Sequence, residues 1–140
     1  MRYLIDTNIF VYSAIDVDSL SKDVRAILED YDNTFCISSE SVKELIVAYR
    51  NKGLGNKKWK TPEAMVKAIE DDYGIVILPI AKEHMLTYSR LQLNEAQGHK
   101  DPSDHIIIAQ AITEHIPLIS SDTRFPFYRT QGLDLVFNTK

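Results

Sequence analysis

The 140-residue chain has one cysteine, one tryptophan, five glycines and five prolines. A lone thiol excludes a disulfide within the chain. Cys36 lies in the apolar run Phe35-Cys36-Ile37 and reads as a buried thiol, compatible with a reducing compartment. No apolar run approaches the roughly 20 residues that span a bilayer. The opening, Met1-Arg2-Tyr3-Leu4-Ile5-Asp6, sets an acid where a signal peptide would continue its apolar stretch. Neither anchor nor secretion signal is read, so the expected location is cytoplasmic, with no membrane contact. Repeats and low-complexity tracts are also missing. With 16 basic and 20 acidic residues the formal charge is −4, which argues against indiscriminate binding of nucleic acid through net charge. It leaves room for an acidic cleft that holds cations.

What is present is an average globular composition, 44% apolar and 26% charged, long enough for one domain and too short for two. The expected unit is a single domain over residues 1–140. Strand-like and helix-like segments alternate. Tyr3-Leu4-Ile5, Thr34 to Ile37, Ile75 to Leu78 and Pro117-Leu118-Ile119 read as buried strands, and Leu133 to Val136 as an edge strand. Helical spacings predict helices over about 19–31, 39–52, 61–72, 81–93 and 101–115, with Ser19 or Ser21 and Asp101 as cap candidates. The stretch Gly53 to Lys60 reads as a loop. This pattern predicts an α/β fold, a central parallel sheet of about four to five strands flanked by helices. Ligands of such sheets bind beyond the carboxyl ends of the strands, which selects Asp6 and Asp122.

Asp104, in the first turn of a helix, and Glu44, early in another, can face the same end. Carboxylates grouped without Cys or His point to a hard cation, Mg²⁺ or Mn²⁺. Each acid also has a plainer reading. Asp6 suits a cap on the segment beginning at Thr7 as well as it suits ligation. Asp101, directly before Pro102, is favoured as an N-cap, and Asp104 as its partner at the third helical position. Glu44, beside Lys43, defaults to a solvated face, and Asp122 to turn chemistry in Ser-Ser-Asp-Thr. Only their joint occurrence lifts the metal reading. The histidines show no zinc spacing with Cys36. Lys57, Lys58, Trp59 and Lys60 combine charge with an aromatic that could stack on RNA, although a solvated loop with Trp59 folded onto the body is favoured.

Four segments in order resemble the PIN-domain ribonucleases: Leu4-Ile5-Asp6-Thr7-Asn8-Ile9-Phe10, Ser41-Val42-Lys43-Glu44-Leu45, His99-Lys100-Asp101-Pro102-Ser103-Asp104-His105 running on to Ala109-Gln110-Ala111, and Leu118-Ile119-Ser120-Ser121-Asp122. The third is similar to the branch pattern His-x-Asp-Pro-x-Asp-Arg, except that His105 stands where Arg is usual. The likeness extends from residue 2 to about 136. Many bacterial PIN proteins of this size are VapC-like toxins of toxin–antitoxin pairs. The resemblance implies that Asp6, Glu44, Asp104 and Asp122 are metal-binding catalytic acids. Asn8 and Ser120 or Ser121 would support them, and Asp101 would be an accessory acid or cap. It further implies hydrolysis of RNA with Mg²⁺ or Mn²⁺, an antitoxin partner and a homodimer, for which the helices at 39–52 and 61–72, with Tyr49 and Met65, are the candidate contact. If the usual Arg pairs with phosphate, His105 would do so only when protonated. Two other readings stand beside this one. A strand ending in an acid also resembles the aspartate-nucleophile phosphatases, whose second acid is here Asn8. A PIN-like scaffold that binds RNA or protein and cuts nothing is the other.

Overall fold

The computed structural model describes residues 1–139. Five strands, β1 (Arg2–Ile5), β2 (Thr34–Ser38), β3 (Val76–Leu78), β4 (Leu118–Ser120) and β5 (Leu135–Phe137), form one sheet in the order β3-β2-β1-β4-β5. Every pairing is parallel, with Leu4 opposite both Cys36 and Leu118. Six α-helices connect them: α1 (Thr7–Ile15), α2 (Lys22–Glu29), α3 (Ser39–Lys52), α4 (Pro62–Asp71), α5 (Lys82–Arg90) and α6 (Pro102–Glu114). No helix among the described residues is long and apolar enough to cross a membrane.

Side chains alternate across a strand, and the sheet uses both faces. Ile5 and Ile37 pack with Ile9, Phe10, Leu45, Met65 and Ile69 of the helices on one face. Leu4, Cys36 and Leu118 pack with Ile107, Ile108, Phe125 and Tyr128 on the other. This double burial is why the strands read as continuous apolar runs. The chain steps from β1 outward through β2 to β3, then crosses back to β4 and outward to β5. The direction therefore reverses between β1 and β4, and a crevice opens past their carboxyl ends.

Several local expectations are corrected. The residues after Asp6 form a full helix, α1, not a short segment. The helix expected over 19–31 spans only Lys22–Glu29, because Val17–Ser19 is a 3₁₀ turn and Ser21 is the cap, its hydroxyl accepting from Val24 N–H. Tyr31, at the end of the expected range, lies beyond the helix and is fully exposed. α5 stops at Arg90, where Leu91 turns extended. Its cap residue, Ala81, offers no side-chain acceptor; instead its N–H donates to His84 Nδ1 at 2.9 Å.

Trp59 does not reach outward from its loop. It is buried, stacks on Phe10 and accepts the Tyr49 hydroxyl on its carbonyl at 2.7 Å. Gly55 adopts φ +80°, and a Cβ there would meet the Trp59 ring at 2.6 Å, so both backbone and space require glycine. Trp59 is thus folded onto the body, as the favoured reading had it, and its burial argues against a base-stacking role. Of the residues offered for a dimer contact, Met65 is removed by burial, while Tyr49 is half-buried with its hydroxyl bound to the Trp59 carbonyl. Met65 is 0% exposed and packs in the core with Ala68 and Ile69, whereas Val47 of α3 is exposed.

Candidate metal centre

Asp6 follows β1 directly and caps α1. Its Oδ1 accepts from Thr7 N–H at 2.8 Å, and its Oδ2 accepts from the Ser120 hydroxyl at 2.8 Å. Ser120, the last residue of β4, is fully buried and its Oγ also accepts from Asp122 N–H at 3.1 Å. One hydroxyl thus ties the acid after β1 to the acid after β4. Ser121, the alternative support, lies outside this contact. Thr7 donates its hydroxyl to Glu44 Oε1 at 2.7 Å, which draws Glu44 into the crevice instead of leaving it on a solvated face.

Asp101 is the N-cap of α6, accepting from Ser103 N–H at 3.0 Å, with Pro102 at the first helical position. That start sets Asp104 on the inner side of the first turn. Asp6, Glu44, Asp101, Asp104 and Asp122 all line one cavity of about 180 Å³, together with Thr7, Asn8 and Arg124. Glu44, Asp101 and Asp104 each place a ligand atom within 4.8 Å of the others, as do His99, Asp104 and Asp122.

Five carboxylates face a single guanidinium. Arg124 folds back on Asp122, donating from Nε to Oδ1 at 3.0 Å and from Nη2 to Oδ2 at 2.7 Å, and Nη2 lies 3.6 Å from Asp104 Oδ2. Burial raises the Asp122 carboxyl, but the Arg124 hydrogen bonds outweigh it and hold the group below its ordinary range. The others go the opposite way. Burial, with the charges of Asp101, Asp122 and Glu44, pushes Asp104 up to about 7, against the pull of Arg124. Burial, with Asp104 and Asp122 adding, pushes Asp6 up to about 6 while the Ser120 hydrogen bond opposes. Glu44 is also raised, chiefly by burial. One guanidinium leaves the cluster short of positive charge, and its carboxylates are hard oxygen donors. Such a set fits a hard divalent cation.

Three contributors escaped the sequence reading. Arg124 stands two residues past Asp122, where a turn partner was findable. His99 was set aside for its lack of zinc spacing, yet its Nε2 lies 3.0 Å from Asp104 Oδ2 and its Nδ1 2.9 Å from the Tyr128 hydroxyl. Burial, then Arg124, lowers the His99 pKa, favouring the neutral ring. Tyr128 lies 29 residues from His99 along the chain, and nothing local links them. His105 does not take up the place of a phosphate-facing Arg. It is buried, its ring 4.7 Å from that of His99, and its Nε2 lies 3.0 Å from the His99 carbonyl. Its protonation therefore bears on packing and not on substrate contact. Asn8 is exposed at the cavity rim.

The PIN domain family model matches residues 3–133. A comparison with curated proteins returns no match. Among solved structures, the chain is similar to one in the VapBC2 complex from Rickettsia felis bound to a promoter DNA fragment, with 23% identity over 99% of each chain and a TM-score of 0.72. It is similar to one in VapBC-1 from nontypeable Haemophilus influenzae, with 22% identity over 100% of each chain and a TM-score of 0.70. A chain of FitAcB from Neisseria gonorrhoeae shares 22% identity over 97% of this chain and 96% of that one, with a TM-score of 0.61.

Proposed function

The chain belongs to the PIN-domain family, and from that premise we propose that it is a metal-dependent endoribonuclease, the toxin of a toxin–antitoxin pair, with one catalytic domain over residues 1–140. The observation that carries this reading is the convergence of Asp6, Glu44, Asp104 and Asp122 on one cavity past β1 and β4, two of them raised to about 6 and about 7. These four are the proposed ligands of Mg²⁺ or Mn²⁺. A divalent ion in such a site neutralises charge on a phosphodiester and makes water a stronger nucleophile near neutral pH.

The chain's own groups have distinct tasks. Ser120 and Thr7 hold the Asp6 and Glu44 carboxylates by donating to one oxygen of each. Asp101 caps α6 and adds negative charge at the rim. Arg124 keeps Asp122 ionised and is the one cation among the cavity-lining residues, so it is placed to meet a phosphate oxygen. No side-chain nucleophile is required. Asp6 suits that role poorly, because both of its oxygens already accept hydrogen bonds within the fold.

VapBC complexes among the similar structures support an antitoxin as partner. Five carboxylates in one cavity suit a partner that inserts Arg or Lys. A homodimer in the cytoplasm completes the proposal. Its test is cleavage of single-stranded and structured RNA by the purified chain in EDTA, Mg²⁺ and Mn²⁺, beside Asp6→Asn and Asp104→Asn. Metal-dependent cleavage lost in both folded variants is expected. Cleavage that persists in EDTA, or in either variant, would overturn the assignment. Tight RNA binding without cleavage in Mn²⁺ would favour the scaffold reading instead.

A further inference from the structure

The inner side of Asp104 is held by a chain of buried groups whose proton positions are set from one end. Asn94 N–H lies 3.0 Å from the Tyr128 hydroxyl oxygen and can only donate to it. Tyr128 is 0% exposed, and its hydroxyl has one further partner among the described residues, His99 Nδ1 at 2.9 Å. The phenol oxygen therefore accepts from Asn94 and its proton goes to Nδ1. A neutral imidazole carries a single N–H, so the proton of His99 sits on Nε2, facing Asp104 Oδ2 at 3.0 Å. The opposite tautomer would leave the phenol proton without an acceptor and set a nitrogen lone pair against a carboxylate oxygen.

The ring is fixed as well as the proton. The His99 side chain is 0% exposed. Phe125 lies 5.6 Å from its ring and His105 4.7 Å, and the His105 Nε2–H donates to the His99 carbonyl. His105 thus secures the very segment that presents His99. We propose that Tyr128 and His99 are positioning residues for the metal-binding acid: Tyr128 locks His99 in its Nε2–H form, His99 pins Asp104 Oδ2, and Oδ1 is left for the cation. Hydrogen-bonded partners behind a ligating side chain commonly change metal affinity 10- to 100-fold.

This rests on the metal-dependent reading above, and two measurements separate the two. The first needs no metal. Imidazole ¹⁵N–¹H spectra of the metal-free protein are expected to show His99 as the neutral Nε2–H tautomer, and Tyr128→Phe to lose that preference. A His99 ring protonated on Nδ1 in the parent would overturn the inference. The second is calorimetric titration with Mn²⁺ alone. Affinity is expected to fall about 10-fold or more in His99→Leu and to recover within about threefold in His99→Gln, whose amide N–H reaches the place of Nε2. Tyr128→Phe, which keeps the ring volume, should fall between and remain informative if His99→Leu does not fold. Equal Mn²⁺ affinity in the parent and Tyr128→Phe would sink the positioning role alone. A parent that binds no Mn²⁺ would remove the metal reading and this inference with it.

Discussion

Asp104→Asn tests whether the acids are held together against their own repulsion. The exchange is nearly isosteric, and the Asn carbonyl oxygen can still accept from His99 Nε2–H. The rise of the Asp104 carboxyl from 3.8 to about 7 corresponds to about 4 kcal/mol between the two protonation states. Folding favours the protonated acid, so its contribution to stability is complete below about pH 4, where the unfolded chain is also protonated. It is lost as pH rises through about 7. The metal-free parent should therefore weaken relative to Asp104→Asn across that window, and the gap should level off above it.

Water and mobile ions in the open cavity reduce the gain, so the expected difference at pH 8 is on the order of 2 kcal/mol. For a chain of 140 residues that is about 7 °C in Tm. The assay is thermal unfolding in EDTA at pH 4, 6 and 8, repeated with saturating Mn²⁺. The metal should reverse the order when the variant binds about 100-fold more weakly, because at 100 times the parent's Kd the parent gains about 2.7 kcal/mol and the variant about 0.4. An Asn variant less stable than the parent at pH 8 in EDTA would refute the reasoning, since it would mean that the ionised carboxylate is welcome where it lies.

Ser120→Ala removes the donor to Asp6 and the acceptor for Asp122 N–H. It should cost about 1–3 kcal/mol in urea unfolding at pH 8, and an unchanged midpoint would deny the link between β1 and β4. Arg124→Gln withdraws the guanidinium from Asp122 and Asp104; Mn²⁺ affinity by calorimetry should rise while KM for RNA rises too. If only one of these moves, Arg124 serves one role and not both. Trp59→Ala should cost about 3–5 kcal/mol by opening the core beside Phe10. RNA binding by the folded fraction should be unchanged, and a specific loss of RNA affinity would restore the stacking role that burial argues against.

Much of the fold was legible because the three central strands are buried on both faces, and Leu4-Ile5, Cys36-Ile37 and Leu118-Ile119 have no polar residue to interrupt them. The start of α2 was not, for a reason no local pattern carries. Ser19 and Ser21 are equal cap candidates, and Asn138 decides between them from the far end of the chain. Its Oδ1 accepts from Ser21 N–H at 2.7 Å and its Nδ2 donates to the Ser19 carbonyl at 3.0 Å. α1 was missed because Asp6-Thr7-Asn8 reads as a turn, and the helix then buries only Ile9 and Phe10. The local pairing of Arg124 with Asp122 was findable two residues along the turn, but its approach to Asp104 depends on how β4 and α6 are set side by side.

The acids were legible, but as competing readings, cap or ligand, and the structure shows that a capping acid can also line the shared cavity. Asp6 caps α1 with Oδ1 and turns Oδ2 to Ser120. Asp101 caps α6 with Oδ1 and still lines the cavity. An N-cap stands where the helix presents unpaired N–H groups and the positive end of its dipole. Two such ends, of α1 and α6, meet at this cavity. Their partial positive charge offsets part of the repulsion among the carboxylates, which helps the cluster to fold without a cation. Capping is then the local means by which the fold carries a charge cluster, and a sequence reader who must choose between the two roles has drawn a distinction that the geometry does not make.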